Sequence, residues 1–234
     1  MPSRCPGCRE RSVERFFRGG VCEPCWEALE KPAPLRCGAC DEPLGVEGVP
    51  GSPGGPGRCG RCVLAPPPYR SLRGAAPYRG IAREILIAFK FGGADFLATH
   101  LAAVMAERLA LPGDLDGIAA VPASARARWK SDHGAELLAA AVAARVALPF
   151  EARRLRKVRA TARQSGLALS ERPGNVRGAF RASPGSARRL LLVDDVATSG
   201  ATARECARAL RRGGAKSVDV WCFARASRDD LLFR

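Results

Sequence analysis

The chain has 234 residues, 47% of them hydrophobic, with 38 Lys and Arg against 23 Asp and Glu for a formal charge of +15. That is apolar material enough for one medium domain and a smaller one, which sets the chain apart from disordered sequences. No apolar run approaches the roughly 20 residues that a membrane-spanning helix needs. The opening "MPSRCPGCRE" holds no apolar signal segment, so a cytoplasmic protein with no membrane insertion is the expectation.

Residues 1–64 carry four CxxC pairs: Cys5/Cys8, Cys22/Cys25, Cys37/Cys40 and Cys59/Cys62. Two residues between thiols make a tight knuckle that turns both sulfurs toward one ion, and two knuckles complete a tetrahedral shell. Four such pairs in series favour structural zinc, two ions in all, over a redox CxxC or a disulfide framework. The short spacers favour sequential sharing, first pair with second and third with fourth, over an interleaved cross-brace. "GVEGVPGSPGGPG" between the last two pairs reads as a loop, and "APPPYR" (65–70) as a stiff linker. The division is then a zinc-ribbon-like module over 1–64, a linker over 65–70 and a second domain over 71–234.

Beyond the linker the pattern alternates. Apolar spacing predicts helices over 80–91, 94–110, 135–148 and 201–215, and strands over 116–123, 187–196 and 217–223. Such βαβ alternation implies an α/β fold, a mainly parallel sheet with helices on both faces. Cys206 and Cys222 fall on a helix and a strand and read as core cysteines. There is no internal repeat beyond the CxxC pairs. The positive charge has two readings, an arginine-coated surface or a polyanion partner such as nucleic acid. Basic residues gather at "RRLRKVRATAR" (153–163) and "RECARALRR" (204–212).

The stretch "LLLVDDVATSG" (190–200) puts two carboxylates, Asp194 and Asp195, at the end of an apolar strand. Ligands of open α/β sheets collect at the carboxyl ends of strands. The following turn leads into a helix, whose first amides and positive dipole end favour phosphate. Thr198, Ser199 and Thr202 add hydroxyls, and Gly200 allows close backbone approach. A ribose diol beside a 5′-phosphate satisfies both halves of the stretch. A metal site and a pair of helix-capping carboxylates are the competing readings.

"VDDVATSGAT" (193–202) resembles the phosphoribosyl pyrophosphate (PRPP) signature of type I phosphoribosyltransferases, and the whole chain resembles the ComF family of competence-associated, phosphoribosyltransferase-like proteins. The cysteine pairs match that family, as do "AFKFGGA" (88–94), "VP" at 121–122 and "RQSGLALSERPGNVRGAF" (163–180). The resemblance implies a type I phosphoribosyltransferase-like sheet. It implies that Asp194 and Asp195 bind the ribose hydroxyls, and that Thr198, Ser199, Gly200, Ala201 and Thr202 cradle the 5′-phosphate. Val121 and Pro122 would help hold pyrophosphate, with Mg²⁺ bridging pyrophosphate and ribose oxygens. Gln164, Asn175 and Arg177 match the family stretch without a transferable role. The segment "ASARARWKSDHGAELL" (123–138) departs from the family, with Trp129, Lys130 and Ser131 where an R-G-F is usual and Asp132 and His133 after them. Arg126, Arg128 and Lys130 are candidate leaving-group partners by position. Two functions follow: a PRPP-binding protein linked to DNA uptake, with single-stranded DNA and competence proteins as partners, or an active phosphoribosyltransferase of nucleotide metabolism with no DNA role.

Overall fold

The computed structural model describes residues 3–13, 20–44, 57–91, 95–123, 133–161 and 171–227. The loop over 45–56, the glycines after Phe91, the 124–132 segment with Asp132, and Gln164 lie outside the described residues.

The cysteine-rich part is two copies of one design. In the first, strands β1 (Ser3–Arg4) and β2 (Ser12–Val13) pair antiparallel around the Cys5–Cys8 knuckle, and Cys22 caps helix α1 (Glu23–Glu27). In the second, Cys59 caps helix α2 (Gly60–Leu64). Each leading knuckle closes through the amide four residues after its first cysteine: Arg9 N–H donates to Cys5 O at 2.8 Å and Asp41 N–H to Cys37 O at 3.0 Å. Arg9 (φ 62°) and Asp41 (φ 63°) are both left-handed, a conformation that costs a side chain about 1–2 kcal/mol and recurs here at equivalent places.

Four strands, β3 (Leu72–Pro77), β4 (Gly117–Ala120), β7 (Arg189–Ala197) and β8 (Ser217–Arg225), form a sheet in the order β3-β8-β7-β4, parallel throughout. Side chains alternate across it. Leu191, Val193, Ile118, Trp221 and Phe223 face a core built with α3 (Gly80–Phe91), α4 (Leu97–Arg108) and α5 (Gly134–Val146). Leu190, Leu192, Val218, Val220 and Cys222 face a second core under α7 (Ala201–Arg212). Both faces being covered explains why β7 and β8 read as apolar runs rather than alternating strands. Cys206 and Cys222 are fully buried in that second core.

A short antiparallel pair, β5 (Leu155–Lys157) with β6 (Phe180–Ala182), packs beside α7, and helix α6 (Arg172–Val176) lies between them in sequence. Pattern reading missed this pair and β3. "LRGAAP" has no β-branched residue, and its strand form is imposed by β8. Gly74 is required there: a β-carbon would stand 2.7 Å from Cβ of Arg225.

The connections fix where a ligand can sit. Neighbouring strands β4 and β7 send their chains to opposite faces, β4 into α5 and β7 into α7. A crevice opens outside the carboxyl ends of strands at such a switch point.

Candidate functional site: the β4–β7 switch point

β7 outruns its neighbour. Its pairing with β4 ends at Ala120 opposite Val193, closed by Val121 N–H donating to Val193 O at 2.9 Å. From Asp194 to Ala197, among the described residues, the strand pairs with β8 alone. Asp194 and Asp195 therefore lie within the strand, not past its end, but on the stretch where β4 has stopped. Val121 is buried and Pro122 half-buried where β4 ends.

Asp195 turns toward α3 and α5. Its Oδ1 is 2.9 Å from Nζ of Lys90, and its Oδ2 is 3.5 Å from where a β-carbon on Gly134 would stand. Asp194 Oδ1 accepts the Asp195 N–H at 2.9 Å. Burial, then the neighbouring Asp195 charge, push the Asp194 carboxyl up to about 7, with Lys90 pulling the other way. Burial works against the Lys90 ammonium too, but Asp195 and then Asp194 outweigh it and raise its pKa. The site thus holds one carboxylate at the edge of ionisation beside an ion pair, the kind of arrangement that clusters at functional sites.

The turn after the acids is shaped by Gly200, left-handed at φ 73°, which caps α7. Ser199 Oγ accepts the Ala201 N–H at 3.3 Å, and Thr198 Oγ1 accepts from Nη1 of Arg172 at 3.0 Å. Thr198, Ser199 and Thr202 are half-buried, while Gly200 and Ala201 are buried. Arg172 is itself buried, and it brings a positive charge from α6 to the turn. His133, at the start of α5, is exposed and meets Glu136 Oε2 at 3.1 Å through Nδ1. Arg177 and Asn175 offer backbone carbonyls to Arg159.

Sequence reasoning had no roles for Lys90, Arg172, Tyr69 or Arg225. Lys90 carried a signal, as one of five lysines and the centre of "FKF". The others depend on contacts between distant segments.

The cysteines gather as two tetrads, Cys5, Cys8, Cys22, Cys25 and Cys37, Cys40, Cys59, Cys62, with the sulfurs of each within 4.8 Å of one another. The pairing is sequential, and a cross-brace does not fit it. Cys22 N–H points at Cys5 Sγ and Cys59 N–H at Cys37 Sγ, both at 3.3 Å, as amides stabilising thiolates do. Backbone amides around Cys8 hold its thiol down at about 6. The donor set of each tetrad fits Zn²⁺.

The basic clusters are largely used within the chain. Arg154 is buried and donates to Ser183 O and to Gly213 O. Arg208 and Arg212 pair with Glu205, and Arg70 with Asp114 and Asp219. A groove of about 500 Å³ lined by Pro67, Pro68, Tyr69, Arg70, Arg208, Arg211 and Arg212 leaves Arg211 without an acidic partner among the described residues. No helix among the described residues is long and apolar enough to cross a membrane.

With this geometry in hand, comparison with known proteins places the chain. No protein-family model matches it. It is 32% identical over 236 residues to the DNA utilization protein YhgH of Salmonella typhi, covering 96% of this chain and 98% of that protein. The Escherichia coli K12 protein of the same name is 32% identical over 171 residues, 68% of this chain and 74% of that one. Competence protein F of Haemophilus influenzae is 29% identical over 153 residues, 63% of this chain and 61% of that one. Among solved structures, glutamine PRPP amidotransferase from B. subtilis, complexed with ADP and GMP, aligns at 21% identity with a TM-score of 0.39 over 58% of this chain and 30% of that enzyme. The chain belongs to the ComF family, with the YhgH and competence F proteins as its relatives.

Proposed function

We propose that the protein binds PRPP with Mg²⁺ at the β4–β7 switch point, in the cytoplasm, in the service of DNA uptake or utilization. One observation carries the reading: β7 continues past β4, carrying half-buried Asp194 and Asp195 on the stretch that β4 leaves unpaired, shortly before a glycine-capped helix start. In the bound state the two carboxylates accept hydrogen bonds from the ribose 2′- and 3′-hydroxyls. The amides and hydroxyls of Thr198, Ser199, Gly200, Ala201 and Thr202 take the 5′-phosphate, where the α7 dipole favours negative charge. Arg172, bonded to Thr198, adds a cation behind the turn. Lys90 holds Asp195 in place through their ion pair. Val121 and Pro122 border the space for the pyrophosphate. Asp194 and Asp195 offer the hard oxygen donors that Mg²⁺ prefers, and the ion, when bound with the ligand, would offset pyrophosphate charge.

The link to DNA rests on the names of the relatives and on the +15 charge. Single-stranded DNA and competence proteins are the partners this reading names. The module over 1–64, with two Zn²⁺, serves in the same proposal as a rigid structural unit.

Calorimetry with PRPP and Mg²⁺ tests the reading. Binding by the wild type and its loss in the Asp194→Ala/Asp195→Ala double variant are expected; equal heats from the two would remove it. A pyrophosphate-release assay across candidate bases, run in parallel, separates binding alone from phosphoribosyl transfer. A gel shift with single-stranded DNA should appear at low salt and fade at high salt; no shift at low salt counts against the DNA role.

A further inference from the structure

We infer that Arg225 is a positioning residue through which the second cysteine tetrad sets the shape of the Ala197–Gly200 turn. Ligand binding then answers to metal occupancy of that tetrad. The consequence for binding rests on the PRPP reading above; the mechanical link does not.

Arg225 ends β8 and is 5% exposed. Its guanidinium is divided between two parts of the molecule. On the cysteine side, Nε donates to Cys40 O at 3.1 Å and Nη2 to Glu42 Oε2 at 2.9 Å. On the ligand side, Nη1 donates to Ala197 O at 3.3 Å and to Thr198 O, with Ala226 O as a third acceptor. A flat fork with five donors in fixed directions can hold both sides at once, whereas a lysine ammonium is a single point and cannot. β3 passes so close to this side chain that only glycine fits at position 74.

Two further contacts run the same way. Arg204, in the first turn of α7, donates to Ala65 O at 3.0 Å and reaches Cys62 Sγ at 3.8 Å. The hydroxyl of buried Tyr69 stands 3.6 Å from where a β-carbon on Gly200 would be. The first tetrad faces elsewhere, with Cys25 Sγ near Gly7 beside Ile81, and Arg9 bonded to Glu84 of α3.

The peptide carrying Cys40 O is fixed when Cys40 is a metal ligand. Its sulfur sits 3.7 Å from that of Cys59, across the tetrad. Losing the ion frees the knuckle, releases one side of the Arg225 fork and loosens the carbonyls of Ala197 and Thr198. The phosphate-facing amides follow in the same turn.

The test uses the full chain and three readouts: zinc per chain, hydrogen exchange of amides 197–202 without ligand, and calorimetry with Mg²⁺ and PRPP. Cys59→Ser, which opens the second tetrad, and Arg225→Met, which keeps bulk but loses the fork, should each speed exchange in the turn by about tenfold or more, the loss expected for charge-assisted hydrogen bonds. Each should weaken PRPP binding by a similar factor. Arg225→Lys should not rescue. The double variant should be no worse than either single, because both break one linkage. Glu84→Gln, which weakens the contacts of Glu84 with Arg9 and Arg83 and touches nothing in the second tetrad, should leave turn exchange within about twofold. Exchange in β7 and β8 upstream of the turn should hold in Arg225→Met, which separates local loosening from unfolding even where Cys59→Ser folds poorly. Wild-type turn exchange in Arg225→Met overturns the inference, and so do additive effects in the double variant. Absent PRPP binding with intact exchange coupling supports the linkage while removing the ligand reading.

Discussion

Asp194→Asn should make the protein more stable at neutral pH while abolishing ligand binding. The native carboxyl is pushed up to about 7 from an ordinary 3.8, chiefly by burial and then by Asp195. Between those two pH values the folded chain holds a proton that the unfolded chain has released. Stability therefore falls as pH rises across the window and levels above about 7. A gap of about three pH units at about 1.36 kcal/mol each sets a ceiling of about 4 kcal/mol on the cost of an ionised Asp194. Asparagine carries no charge and can still accept the Asp195 N–H, so the variant escapes the cost and keeps the contact. Denaturant titration with zinc present should find the variant more stable at pH 8 by about 1–4 kcal/mol. At the ceiling, about half of that advantage should arise between pH 5.5 and pH 8. A variant less stable than wild type at pH 8, or an advantage identical at the two pH values, would refute the reasoning.

Lys90→Met removes the cation that Asp195 holds at 2.9 Å and leaves the acid pair uncompensated. A loss of about 1–3 kcal/mol at pH 8, smaller at pH 5.5 where Asp194 is protonated, is expected from the same titration; equal losses at both pH values contradict it. Gly200→Ala forces a side chain to φ 73°, at about 1–2 kcal/mol, and should lower the melting temperature by about 2–4 °C per kcal/mol. An unchanged melting curve would mean the turn is not held in that conformation. Elemental analysis should return two zinc ions per chain, one per tetrad; one or none would remove a site.

The helices and buried strands could be read from the residues because their signals are local. Helix α3 runs Gly80–Phe91, as its apolar spacing indicates, and β7 runs Arg189–Ala197 where 187–196 was expected. The tetrads were legible for the same reason, since each knuckle fits within four residues. β3 was not, because "LRGAAP" becomes a strand only through β8, far along the chain. The acid pair and glycine turn pointed to a sugar phosphate, but not to what supports them. Arg225 meets Cys40 across 185 residues of sequence, and Arg172 meets Thr198 across 26. Such contacts leave no spacing to read. The internal uses of the clustered arginines were equally hidden: Arg208 and Arg212 pair with Glu205, and Arg154 and Arg204 bond backbone carbonyls, which local charge density does not reveal.

A crystal structure grown with Mg²⁺ and PRPP tests the central claim most directly. Ribose hydroxyls within hydrogen-bond distance of the Asp194 and Asp195 carboxylates are expected, with the 5′-phosphate on the turn from Thr198 to Thr202. A sugar phosphate seated elsewhere, or an empty crevice above β4 at saturating ligand, would contradict it.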